Sequence, residues 1–465
     1  MTLDVDTQPA VNWQRDAREH LMLHFTDMQR LQHEQIPVLV RGEGCHVVTD
    51  DGARKIDGLS GLYCTNIGHG FGRELGEAAL AQMSELGYTT NWTTAHPRSI
   101  ELSTKLAELA PGALNRSFFV NSGSEAVESA WKVARQYHAA RGEAGRRKAI
   151  SRRYSYHGTT LGALSFTGIP STRAPFEPLA VPTAFVSNTN RFRHPLGHDD
   201  QAFCRALLDE IVDTIEFEGP DTIAMLIAEP VQNSGGSLVP PDGYWAGLRE
   251  ICDRYGILLC SDEVICAWGR LGAWFGAEKF GYEPDLLTFA KGITSAHVPL
   301  GGVLIHDRVA EPFLDGRAFY MHGATFGGHP VAAAVALKNL EIMEREDVLG
   351  NVVAQERYLS QRLAALRELP IVGDVRGMGL FWAVEMVSDK ETNATFTPEE
   401  EQWLLHDFLS GRLYERGLLC RLDDRQDAVV QIAPPLVAGE DVLGEIVDIL
   451  QVTLQEAGEE LRSRR

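Results

Sequence analysis

A chain of 465 residues is too long for one simple core and predicts two or three domains, in series or interleaved. Its 44% hydrophobic and 23% charged residues are ordinary for a soluble globular enzyme. Asp+Glu (64) outnumber Lys+Arg (43), and the formal charge of -21 repels phosphate backbones and anionic lipid, which argues against nucleic-acid or membrane-surface roles.

In chain order, Met1–Val11 carries Asp4, Asp6 and Gln8 and lacks the basic-then-apolar pattern of a secretory signal. No apolar run is long enough to cross a bilayer, so a cytoplasmic location is expected. Pro37–Arg41 and Cys45–Thr49 read as paired strands joined by a Gly42–Gly44 turn, Ser117–Val120 as a short strand, and Glu125–Arg135 as a helix. Thr222–Ala228, Gly256–Cys260 and Leu286–Ala290 are short continuous apolar runs, the pattern of strands buried on both faces of a parallel sheet. Beyond Pro330 a helix is predicted over Val331–Glu344. Strand-like runs follow at Leu380–Glu385 and Ala428–Ile432, and a frayed, solvated tail at Glu459–Arg465. The expected fold is α/β. A large, mostly parallel-sheet domain spans 61–330, and a smaller α+β domain is built from both chain ends, 1–60 and 331–465. The seven cysteines are scattered with no CxxC and read as buried or half-buried thiols in a reducing compartment. No His/Cys cluster has ligand spacing, so no metal is expected.

Each of the three buried strands ends in a chemically capable group: Glu229-Pro230, Ser261-Asp262-Glu263 and Lys291-Gly292. Ligands of open α/β sheets bind beyond the carboxyl ends of the strands. Any strand must end in something polar, but two acids and a lysine at corresponding ends suggest one shared site. Asn121-Ser122-Gly123-Ser124-Glu125 follows a strand and opens a helix. Small residues and free N–H groups there suit a phosphate, and they equally suit an ordinary N-cap. No lysine follows with Walker spacing.

In this order and spacing, these pieces resemble the class III aminotransferases of pyridoxal-phosphate fold type I. Asp57–Gly61, Asn66–His69, Tyr156-His157-Gly158, Val264, Thr325 within His322–Pro330, and Arg376–Gly379 extend the likeness from about Pro37 to about Pro435. The resemblance implies pyridoxal 5'-phosphate carried covalently on Lys291, with Asp262 against the pyridine nitrogen. Ser122, Gly123 and Ser124 would seat the phosphate, Tyr156 and Val264 would cover the two ring faces, and His157 and Glu229 would complete the cofactor site. Thr325 would reach the phosphate of a neighbouring subunit, implying a homodimer with shared active sites, or a tetramer of such dimers. Taken singly, Tyr156 reads as any half-buried tyrosine, Val264 as core and Thr325 as a turn residue. His157 and His329 also read as candidate bases, a task that lysine already performs in this family.

The resemblance further implies an amine donor and a keto acid acceptor. Gly417–Arg421 is similar to the stretch that carries a mobile arginine in amine–pyruvate transaminases, so Arg421 would clamp the acceptor's carboxylate. The alternative is a surface arginine beside Asp423 and Asp424. Tyr63 and Trp92 match aromatic pocket walls of that subgroup, or are ordinary core aromatics. Ile265, where ornithine- and GABA-type members would carry Gln nearby, favours the amine–pyruvate branch. His297 departs from the family pattern. The expected activity is transfer from an amine or ω-amino acid to pyruvate by a ping-pong mechanism. The alternatives are a diamine-, GABA- or ornithine-type aminotransferase, a decarboxylating or mutase-type enzyme on the same chassis, or a non-catalytic cofactor-binding protein.

Overall fold

The computed structural model describes residues 12–464. Met1–Val11, read above as lacking a signal, lies outside the described residues.

The first sheet starts as a meander of β1 (Leu39–Glu43), β2 (His46–Thr49) and β3 (Arg54–Asp57), all antiparallel. The β1–β2 turn is tighter than expected: Gly42 and Glu43 belong to β1, and the turn is Gly44-Cys45, with Gly44 at φ 56°. Left-handed backbone at that point is what glycine permits.

The central sheet holds β4 (Arg116–Val120), β5 (Lys148–Arg152), β6 (Thr183–Val186), β7 (Ile223–Ala228), β8 (Leu258–Asp262), β9 (Leu286–Phe289) and β10 (Gly301–Ile305). Their spatial order is β4-β10-β9-β8-β7-β5-β6. The pairs from β9 through β6 are parallel, while β10 runs antiparallel to both β9 and β4. Every residue of β7, β8 and β9 is buried, as their unbroken apolar runs require. One apolar cluster, packed around the helix Gly123–Ala140, covers one part of the sheet, and another joins it to the helices Asp200–Glu218 and Tyr244–Tyr255. The carboxyl ends of β5, β7, β8 and β9 therefore open on one edge.

The last part of the chain adds β11 (Val372–Met378), β12 (Phe381–Met386), β13 (Leu418–Leu419), β14 (Arg421–Asp423) and β15 (Val429–Ile432). An antiparallel sheet runs β11-β12-β15-β14, and β13 returns to lie parallel to β3, so the two ends of the chain share a sheet. The expected frayed tail is overturned up to Arg464. It forms the end of a helix, Glu440–Arg464, because Leu450, Leu454, Ala457 and Leu461 continue one apolar face into the core. Arg464 also stacks over the Trp403 ring at 4.1 Å.

Candidate active site

At the carboxyl edge of the parallel strands lies a cavity of about 350 Å³, within the range of small-ligand sites. Asp262 closes β8, two residues later than the apolar run suggests, and pairs in register with Thr288 of β9. Its carboxylate is buried and held by three donors. His157 Nδ1 donates to Oδ2 at 2.6 Å, Thr288 Oγ1 to Oδ1 at 3.0 Å and the Val264 N–H to Oδ1 at 3.1 Å. Such a carboxylate has a fixed position and stays available to a ligand on its remaining lone pairs.

Glu229 follows β7 and is also buried. It accepts from the N–H groups of Tyr156 (3.2 Å) and Asn233 (2.9 Å). Burial pushes its carboxyl above the usual range, with His157 opposing and Asp262 adding to the shift. Lys291 follows β9 with φ at 52°, a left-handed conformation that a non-glycine residue holds only under constraint. Burial lowers the pKa of its ammonium, against the opposing pull of Cys64, Asp262 and Glu229. Among the described residues, no hydrogen bond or ion pair ties down the Lys291 amine.

The helix Gly123–Ala140 begins at the rim. Ser122 caps it, its Oγ accepting from the Glu125 N–H at 3.3 Å and its carbonyl from Ala126 at 3.0 Å. The N–H groups of Gly123 and Ser124 remain for a ligand, where the helix dipole favours an anion. Glu125 accepts from the N–H and side-chain amide of Asn121, at 2.7 and 3.0 Å. The backbone packs closely here: a Cβ on Gly123 would come within 3.0 Å of Val264, and one on Gly158 within 2.2 Å of Ser124 Oγ.

These residues fit pyridoxal phosphate. An untethered lysine, a fixed buried carboxylate and an anion seat at a helix start line one cavity, together with Tyr156, His157, Glu229 and Val264. They are the groups that the cofactor's aldehyde, ring nitrogen and phosphate require.

The remaining expected residues lie outside this cavity. Tyr63 is buried behind Cys64, which lines it, and its hydroxyl donates to Gln431 Oε1. Arg421 opens β14 opposite Gln431, half-buried, with Nε lacking any partner. Trp92 is 69% exposed and stands beside Gly323, while Thr325 is exposed, its carbonyl accepting from Tyr88 at 2.7 Å. His329 caps the helix Pro330–Arg345 through Val331 N–H and does not line the cavity.

Several contributors escaped sequence reasoning. Thr288 holds Asp262, and fully buried Arg152 donates to the Glu229 carbonyl at 2.5 Å. Arg425 clamps Asp423 with two bonds of 2.6 Å. The parallel pairing of β8 and β9 was the one signal that placed Thr288 beside Asp262. Arg152 and Arg425 left none, because their partners are distant backbone or a turn of unknown shape.

The family model for class III aminotransferases matches residues 28–454. "Probable aminotransferase Rv3329" of Mycobacterium tuberculosis is 49% identical over 452 residues, covering 97% of this chain and 96% of that protein. The putrescine–pyruvate aminotransferase of Pseudomonas aeruginosa is 36% identical over 448 residues, covering 96% of each. The crystal structure of an (S)-enantioselective omega-transaminase from Thermomicrobium roseum superposes with a TM-score of 0.93 at 41% identity, covering 97% of this chain and 100% of that one. The chain belongs to the class III aminotransferases, pyridoxal-phosphate-dependent enzymes of fold type I.

Proposed function

We propose that the protein moves an amino group from an amine or ω-amino acid to pyruvate in two successive half-reactions centred on Lys291. The observation that carries this reading is the untethered Lys291 amine, lowered in pKa by burial, in one cavity with a carboxylate fixed by three donors. Pyridoxal phosphate held at Lys291 would supply an electron sink for proton removal at the substrate's Cα. Asp262 holds a proton on the ring nitrogen, and His157, Thr288 and the Val264 N–H hold Asp262. Lys291 Nζ, whose ammonium form burial disfavours, would take the proton from the substrate's Cα and deliver it again. The N–H groups of Gly123 and Ser124, after the Ser122 cap, bind the phosphate. Tyr156 and Val264 would cover the cofactor's ring, and Glu229 would orient it.

A single cavity supports a ping-pong order, since the first product must leave before the keto acid enters. Arg421 is the cation we assign to the acceptor's carboxylate, with Tyr63 and Trp92 as aromatic walls. Its unpartnered Nε supports that role, and the pyruvate in the name of the Pseudomonas relative supports the acceptor. Thr325 lies outside its own chain's cavity and is exposed, which supports a homodimer in which it completes the partner's phosphate seat. All seven cysteines are free, which fits a reducing cytoplasm. No helix among the described residues is long and apolar enough to cross a membrane.

Two variants and a donor screen test the reading. Lys291→Ala is expected to lower turnover by about 10³-fold or more while the protein still takes up the cofactor non-covalently. Arg421→Ala is expected to raise KM for pyruvate about tenfold or more, the scale of one charge-assisted interaction, with a smaller effect on a neutral amine. Equal loss for both substrates removes Arg421 from the acceptor site. Better turnover with 2-oxoglutarate than with pyruvate across the donor screen refutes the acceptor assignment.

A further inference from the structure

We propose that Asp423 sets the preference for keto acids with a single carboxylate, by holding a second arginine, Arg425, away from the acceptor. The proposal rests on the reading of Arg421 as the acceptor's clamp and extends it to substrate class.

Antiparallel pairing of β14 with β15 sets Arg421 opposite Gln431, and the period of two brings Asp423 to the same face as Arg421. Gln431 is the hub of this face. Its Oε1 accepts from the Tyr63 hydroxyl, and its Nε2 donates to the Asn233 carbonyl at 2.6 Å and to Asp423 Oδ2 at 3.2 Å. The Asn233 N–H in turn donates to Glu229 Oε2 at 2.9 Å. A continuous path of hydrogen bonds thus leads from Glu229 in the cofactor cavity to Asp423.

Asp423 is 1% exposed, and Arg425 saturates it. Arg425 Nε donates to Oδ1 and Nη2 to Oδ2, each at 2.6 Å, and the Arg425 backbone N–H adds a bond of 3.2 Å to Oδ1. A buried fork-to-carboxylate pair of this kind is hard to separate, because parting it leaves two uncompensated buried charges. The Arg425 side chain is 11% exposed and joins this face through Asp423, which Gln431 links to Asn233 and Glu229. Asp423 is paired with Arg425, and among the described residues Arg421 forms no ion pair with it.

Two guanidinium groups and one carboxylate leave this wall with a single net positive charge. Gln431 is neutral, and burial keeps the Tyr63 phenol protonated. Among the described residues of this wall, one unpaired cation, Arg421, matches one carboxylate. The second carboxylate of an acceptor such as 2-oxoglutarate would be desolvated without a partner, because Arg425 is committed to Asp423. Neutralising Asp423 would release Arg425 and give the wall a second available cation.

The test compares pyruvate and 2-oxoglutarate as acceptors, with one neutral amine donor, in the holoenzyme and in Asp423→Asn, Arg425→Gln and the double variant. The ratio of kcat/KM for 2-oxoglutarate to that for pyruvate cancels any general loss of activity. Asp423→Asn is expected to raise the ratio about tenfold or more, and adding Arg425→Gln is expected to return it to within about twofold of the parent. Arg425→Gln alone leaves Asp423 free to capture Arg421, and is expected to raise KM for pyruvate more than it lowers kcat. An unmoved ratio in folded Asp423→Asn, or a gain that survives in the double variant, overturns the proposal. Should Asp423→Asn not fold, an unchanged pyruvate KM in Arg425→Gln overturns it instead. If Arg421→Ala leaves the pyruvate KM unchanged, the clamp reading fails and this proposal falls with it. If Arg421→Ala raises that KM while the ratio stays flat, the proposal alone fails.

Discussion

Glu263 stands directly behind Asp262 and is wholly buried. It accepts from the N–H groups of Gly276 and Ala277, each at 2.7 Å, and from Ser261 Oγ at 3.2 Å, tying the segment after β8 back to the strand. Burial raises its carboxyl from an ordinary 4.5 to about 7, although those donors pull the other way. The folded state therefore holds the proton more tightly than the unfolded chain does. Folding takes up a proton between those two values, so this residue's contribution to stability falls as pH rises from about 4.5 to about 7 and is level beyond. A shift of that size corresponds to about 3 kcal/mol. Urea midpoints measured across this window should show a shallower decline in Glu263→Gln than in the parent, and parallel curves would show that Glu263 does not titrate there. Asp262 was legible from sequence because it ends an apolar strand in a known order of motifs. Two partners of Glu263, Gly276 and Ala277, open a five-residue helix 13 and 14 residues later, too short for periodicity to announce it.

The elements proposed to seat a phosphate meet at a close contact between the helix Gly123–Ala140 and the loop after β5. Gly158 has φ at 116°, and a Cβ there would come within 2.2 Å of Ser124 Oγ. Gly158→Ala is expected to displace Ser124 and weaken cofactor affinity about tenfold or more, with about 1 kcal/mol of added backbone strain. Titrating the cofactor-free protein with pyridoxal phosphate and following its absorbance measures this, and unchanged affinity would detach the loop from the seat. At this scale the sequence was readable where burial is two-sided. β7, β8 and β9 announce themselves as apolar runs, and the helix after Ser122 shows its period. β5, β6 and β10 do not, because Lys148–Arg152, Thr183–Val186 and Gly301–Ile305 are too short, too mixed or too glycine-rich to stand out. Their place is set by the neighbours they pair with, and single-sequence patterning carries no information about neighbours. The same holds for the wall around Arg421: the arginine could be read by its motif, whereas the Asp423–Arg425 pair depends on how the turn after β14 closes.

Across the whole molecule, one face brings the site argument back to Thr325. Around it Trp92, Phe319, Met321 and Phe326 are 69%, 76%, 78% and 58% exposed, an unusual density of large apolar groups for a solvent-facing surface. A chain of formal charge -21 repels its copy at long range, so the proposed dimer would have to be driven by burying such a face. If Thr325 serves the partner's phosphate, a site needs Lys291 from one chain and Thr325 from the other. Lys291→Ala lacks the amine, and Thr325→Asp sets a carboxylate against the phosphate, so each variant alone is expected to be inactive. In a mixed dimer of the two, one site combines both lesions. The other combines an intact Lys291 with an intact Thr325 from the opposite chain. Random pairing of equal amounts, after co-expression or joint refolding, should therefore restore about a quarter of the parent activity per chain. A lesion confined within each chain would restore nothing on mixing. Mixed dimers isolated through two different affinity tags should carry about half of the parent activity per chain, so the recovered fraction separates a shared site from two independent ones.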